Sequence, residues 1–198
     1  MLKVTLPPHI LSIAGESQGY PSVSGEIIMY HKYRLLIHAA ITALIMAFIF
    51  YQSSLPAILS SEMSGHLERI VAWILGKPSE SVTFAVRKAA HVTEFTALGI
   101  SLFYTVRDFL EWRSGTTNNA VPQNRQTTQM IQTEKLRRIV LPWVIGTIYA
   151  VSDEVHQLFV EGRSCEVRDM LLDSAGVAAG VLLMNWLKSR DMNKSDRR

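Results

Sequence analysis

Four apolar blocks, each about as long as a bilayer is thick and each set off by polar segments, limit this chain more than any other feature. Crossing ~30 Å of hydrocarbon takes ~20 mostly apolar residues in a helix. Residues 33–51 (YRLLIHAAITALIMAFIFY) are interrupted only by Arg34, His38 and Thr42, and Arg34 lies close enough to the block's end to snorkel to an interface. Residues 86–106 (VRKAAHVTEFTALGISLFYTV), 139–160 (IVLPWVIGTIYAVSDEVHQLFV) and 169–187 (DMLLDSAGVAAGVLLMNWL) are the other three. A chain of 198 residues that is 48% hydrophobic, with mean hydropathy +0.15, accommodates such a set as a single domain. In lipid a spanning segment must satisfy its own backbone polar groups, which a helix does. The expectation is an all-α polytopic membrane bundle of four transmembrane helices.

The segments between the blocks differ in kind. Residues 1–32 are rich in turn formers (Pro7, Pro8, Gly15, Gly19, Pro21, Gly25) and lack the apolar core of a secretory signal, so they read as a flexible cytoplasmic tail. Met29, just before the first block, offers an alternative start. In residues 58–75, Leu59, Met63, Leu67, Ile70, Val71 and Ile74 follow helical spacing, with Glu62, His66, Glu68 and Arg69 at other positions. That pattern predicts one amphipathic helix lying in the interface. Residues 107–138 read as a polar loop, with disorder expected at about 111–135, and residues 188–198 as a basic tail. The membrane domain is thus residues 33–187.

Orientation follows from the basic residues. Fourteen of the twenty Lys and Arg fall in the N-terminal tail, the 107–138 loop and the C-terminal tail; six fall on the other side. The richer side is cytoplasmic, which puts both termini there. The net charge of +3 then reflects topology and needs no nucleic acid as partner. Trp112, Trp143 and Trp186 fall near the same interface, as an aromatic belt would. Cys165, the single cysteine, excludes an intramolecular disulfide and a multi-cysteine metal site.

On this topology three groups of polar residues share one depth, near the outer face. The second block enters with Arg87, Lys88, His91 and Glu94; the third leaves with Asp153, Glu154, His156 and Gln157; the fourth enters with Asp169 and Asp173. Nothing comparable is expected at the inner ends. Arg87, His91 and Glu94 are spaced i, i+4, i+7; Asp153 and Gln157, and Asp169 and Asp173, are spaced i, i+4, so each set shares a helix face. Gly176 and Gly180 extend the last stripe and allow close helix approach. Ionisable groups in a membrane are expensive and tend to mark function. The bland alternative is an interhelical salt-bridge network that only holds the bundle together. His38 and His156 read as interface or packing residues.

The runs RKAAHVTEFTALG and SDEVHQLFVEGRSCEVRDMLLDSAGVAAG resemble the VanZ-like family of bacterial membrane proteins. The positions that carry the likeness are Lys88, His91, Glu94, Asp153, Glu154, Gln157, Gly162, Arg163, Asp169, Asp173 and Gly176, over roughly residues 85–180. IFYQSSLP, at the end of the first block, also looks familial. Glu161 stands where a proline often precedes the Gly-Arg pair. The family's founding member is associated with low-level resistance to the glycopeptide teicoplanin, so the resemblance implies a role at the bacterial cell envelope and supplies no mechanism.

From residues and resemblance together, the expected ligand-binding set is Arg87, Lys88, His91, Glu94, Asp153, Glu154, Gln157, Arg163, Asp169 and Asp173, lining one outward-facing site in the bacterial inner membrane. Its expected occupant is a lipid-linked envelope precursor, a lipid headgroup or a glycopeptide. In the alternative, an enzyme, Asp153, Glu154 and His91 are the candidate catalytic groups, acting by carboxylate acid/base chemistry on such a precursor. The acids and the imidazole are chemically able to bind a divalent cation. No compact ligand motif marks a metal site, however, and neither a metal nor another cofactor is expected. Besides membrane lipids no partner is indicated.

Overall fold

The computed structural model describes residues 23–56, 65, 69–76, 79–117 and 128–195. Four long helices dominate: α1 (Val23–Ser53), α2 (Ser79–Thr117), α3 (Thr128–Gln157) and α4 (Val167–Ser195). The described residues contain no strand, so the fold is all-α. Of the amphipathic segment expected at 58–75, residue 65 and residues 69–75 are helical, and Gly76 ends the stretch with φ +62°; residues 57–64 and 66–68 lie outside the described residues. In the described part Ala72 and Val71 pack on Val82 and Val86 of α2, while Ile70, Trp73 and Ile74 are exposed.

The helices overrun the apolar blocks, which corrects the expected boundaries. Helix α1 begins at Val23, so the end of the supposed tail is helical; residues 1–22 lie outside the described residues. Helix α2 continues to Thr117 and α3 starts at Thr128, so the 107–138 loop, and the disorder expected at 111–135, give way to helix at both ends. Residues 118–127 lie outside the described residues. The supposed basic tail is helical as far as Ser195. Hydropathy falls at the first charges, but helix formation does not stop there. Charges spaced i, i+4 support a helix, as Arg107 Nε and Glu111 Oε1 do at 3.4 Å.

By length and composition, two stretches are apolar enough to cross a membrane: Met29–Ser53 and Val167–Arg190. Polarity is distributed in the reverse of a soluble protein's pattern. Glu154, Asp108, Asp153 and Asp173 are among the most completely buried side chains, whereas Leu44, Ile148, Phe159 and Leu171 are more than half exposed. An apolar exterior around a partly polar interior fits a membrane protein.

Helix α2 is the hub and packs most extensively on α4 and α1; α1 and α3 touch only briefly. Ile49, Phe95, Leu98, Leu102, Phe103, Ala150, Val177 and Val181 fill the middle of the bundle. The α2–α4 contact is close because glycines make it so. A Cβ at Gly180 would lie 2.2 Å from the Thr96 carbonyl oxygen, and one at Gly99 2.3 Å from that of Val177. This close packing, which the Gly176–Gly180 stripe foreshadowed, brings the polar ends of α2 and α4 within reach of each other.

Candidate functional site

The site lies where α1 and α3 end and α2 and α4 begin. Helix α3 stops at Gln157, and a turn through Gly162, at φ +73°, returns the chain into α4 at Val167. A left-handed backbone there suits glycine and strains any other residue. Arg163 then ties the turn to the end of α1: Nε donates to the Leu55 carbonyl at 3.1 Å and Nη2 to that of Gln52 at 3.0 Å. Burial and the nearby Arg87 guanidinium push Arg163 below the ordinary arginine range.

His91 is at the centre. Its Nδ1 is 3.3 Å from Glu94 Oε2, one helical turn away. Its Nε2 faces two carboxylates on other helices, Asp153 Oδ2 and Asp173 Oδ2, each at 3.7 Å. Ser53, the last residue of α1, donates its hydroxyl to Asp153 Oδ2 at 2.7 Å. Gln157 Nε2 donates to Asp153 Oδ2 at 3.3 Å and to Glu154 Oε1 at 3.2 Å. The Glu166 N–H, in the turn, donates to Glu154 Oε2 at 3.1 Å. Lys88 pairs with Asp169 in the first turn of α4.

Asp153, Glu154 and Asp173 are 1–2% exposed and His91, between them, is half-buried, whereas Arg87, Lys88 and Glu94, also half-buried, form the rim. Several inner atoms have no hydrogen-bond partner: His91 Nε2, Asp153 Oδ1, Asp169 Oδ1 and Asp173 Oδ2 are buried and unsatisfied among the described residues. Buried polar atoms are nearly always satisfied, so four at one place call for an explanation.

The sequence set is therefore brought together from three helices and a turn. Ser53 and the Glu166 N–H belong to the same network without standing out in the sequence, where the familial look of IFYQSSLP is the one signal for Ser53. His156 stacks on Phe50 at 4.3 Å and meets Ser54 Oγ at 3.1 Å, outside the carboxylate group.

The opposite end of the bundle, expected to carry nothing comparable, is not free of charge. Asp108, fully buried, receives Arg34 Nη2 at 2.6 Å and lies 2.6 Å from His38 Nδ1. Arg107 Nη2 is 3.2 Å from the same carboxylate. Thr42 Oγ1, Ser101 Oγ and Thr105 Oγ1 continue the polar contacts at 2.7 and 2.9 Å. Reading 107–138 as a loop leaves Asp108 off any helix, and its partners Arg34 and His38 belong to a different helix, α1. A groove of about 300 Å³ between α1 and α2 is lined by His38, Ile41, Ile45, Ala97, Ile100, Ser101 and Tyr104, and its exposed wall is almost wholly apolar. Walls that apolar give a charged ligand little to hold, so we place the site at the carboxylates.

The sequence profile of the VanZ/LLP1 family matches residues 38–188, which takes in every residue of the carboxylate cluster. No curated protein and no solved structure matches the chain.

Proposed function

Because this chain belongs to the VanZ/LLP1 family, we propose that it is a four-span protein of the bacterial cytoplasmic membrane whose outer-end cluster binds the polar headgroup of a lipid-linked envelope glycan. Both termini face the cytoplasm in this reading, and the described helical residues before α2 belong to an interfacial helix. One observation carries the proposal: buried carboxylates with unsatisfied oxygens converge from separate helices at one end of the bundle. The Asp108 carboxylate, by contrast, has both its oxygens met, by Arg34 and His38. Asp153, Glu154 and Asp173 would accept hydrogen bonds from sugar hydroxyls, while Arg87 and Lys88 at the rim would meet a phosphate.

The enzyme reading shares the site. It is favoured by the placement of one imidazole between carboxylates of α3 and α4, an arrangement able to pass a proton.

The test uses full-length protein in lipid nanodiscs and a fluorescent lipid-linked disaccharide pyrophosphate. We expect saturable binding by the wild type and at least tenfold weaker binding by Asp153→Asn at equal folded protein. Equal binding by the two would sink the headgroup reading. In cells lacking the gene, a change in precursor pools that wild type restores and Asp153→Asn does not would favour the enzyme over the binding protein.

A further inference from the structure

We infer that His91, Glu154 and Asp173 form a binding site for one divalent transition-metal ion. This names the cation of the same outer-end cluster and rests on reading that cluster as a ligand site. Whether the occupant of the remaining space is a glycan is a separate matter.

The geometry is that of a cage slightly too wide for hydrogen bonds. His91, Glu154 and Asp173 each present one donor atom, and these atoms lie within 4.8 Å of one another. Metal–ligand bonds of ~2.0–2.2 Å place neighbouring ligand atoms ~3–3.5 Å apart, so small side-chain rotations would close the cage. Nε2 of His91 and Oδ2 of Asp173, 3.7 Å apart, are too far for a hydrogen bond, and each is buried with no hydrogen-bond partner among the described residues. Asp173 is 2% exposed, and its unpartnered oxygen faces into the group.

Charge points the same way. Asp153, Glu154 and Asp173 sit together around a single imidazole, while Lys88 is paired with Asp169 and the Arg163 guanidinium donates to two backbone carbonyls. Buried carboxylates in excess of their counter-charges must take up either protons or a cation, and a bound cation serves several of them at once. The imidazole is also oriented as a metal ligand. Glu94 lies against Nδ1, where it would accept the N–H and leave the Nε2 lone pair for the ion. A carboxylate behind a ligating histidine is a recurrent support for metal sites. One imidazole with carboxylates suits a zinc- or manganese-like ion better than magnesium or calcium. Asp153, 3.7 Å from the same Nε2, is close enough to join as a further ligand. The ligands come from α2, α3 and α4, which is why no compact sequence motif marked them.

The test is metal loading of the purified full-length chain in detergent. Protein is stripped with a chelator, incubated with Zn²⁺ or Mn²⁺, desalted, and its metal measured by mass spectrometry. We expect about one ion per chain, at least tenfold weaker binding in His91→Gln and Asp173→Asn, and about tenfold weaker in Glu94→Gln. Glu161→Gln should load as wild type does. Co²⁺ added to wild-type protein should give a visible d–d spectrum free of thiolate charge transfer, which needs no variant to fold. Absence of loading and of the cobalt spectrum, or equal loading in all variants, would overturn the site. Loading without glycan binding would sink only the headgroup reading; glycan binding that survives chelation, with no loading, would sink only the metal.

Discussion

Asp108 and Asp153 are both buried carboxylates, and their surroundings treat them differently. Asp108 has a guanidinium at 2.6 Å and an imidazole at 2.6 Å. Asp153 has a hydroxyl, an amide and a more distant imidazole, with one oxygen left over. Removing one partner of a buried ion pair strands the other charges, at ~3–5 kcal/mol. Asp108→Asn should therefore lower the thermal unfolding temperature and the membrane abundance, while glycan binding per folded molecule stays unchanged. Arg34→Met made in the Asp108→Asn background should add less than it does alone; fully additive losses would show that the two do not interact. Ser53→Ala is milder. It removes the 2.7 Å donor to Asp153 and should destabilise by ~1–3 kcal/mol. A Ser53→Ala unfolding curve that overlays wild type would show the bond to be unimportant.

At the scale of helices, the approach of α2 to α4 sets where Lys88 and His91 stand relative to Asp169 and Asp173. That approach depends on Gly180 and Gly99, each facing the other helix's backbone. Backbone cannot yield as a flexible side chain can, so Gly180→Leu must push the helices apart. Overpacking of this kind typically costs ~1–3 kcal/mol. We expect Gly180→Leu to unfold at lower temperature and also to load less metal, because the displacement separates His91 on α2 from Asp173 on α4. Wild-type stability together with wild-type loading would show that the close approach is dispensable. Between the two polar ends, Ile49, Phe95, Leu98 and Val181 form an apolar plug. That plug, more than any lack of inner charges, argues against a continuous ion pathway.

For the molecule as a whole, the proposed orientation puts the turn at 161–168 outside. Cys165 lies in this turn, is partly exposed and is the chain's single thiol. A membrane-impermeant maleimide should label it on intact cells, in spheroplasts if the outer layers block access. Labelling only after lysis would reverse the orientation and place the carboxylate cluster at the cytoplasmic face.

Much of this protein follows from local sequence. An apolar run needs only its own residues to declare a helix, and i, i+4 spacing places Asp153 with Gln157 and Asp169 with Asp173 whatever surrounds them. The ordered motif from Lys88 to Gly176 likewise marked the family, because it is linear. Helix ends do not follow from hydropathy, since charges at 107–111 end an apolar block and do not end a helix. Asp108 is not legible for that reason: its partners Arg34 and His38 lie 74 and 70 positions away and meet it only when α1 packs on α2. The same holds at the outer end. The sequence named His91, Glu154 and Asp173 as candidates, but that two of their buried atoms face each other at 3.7 Å with no hydrogen bond between them depends on how three helices cross. Interhelical distances are set by side-chain and glycine packing over the whole contact, which no local pattern encodes.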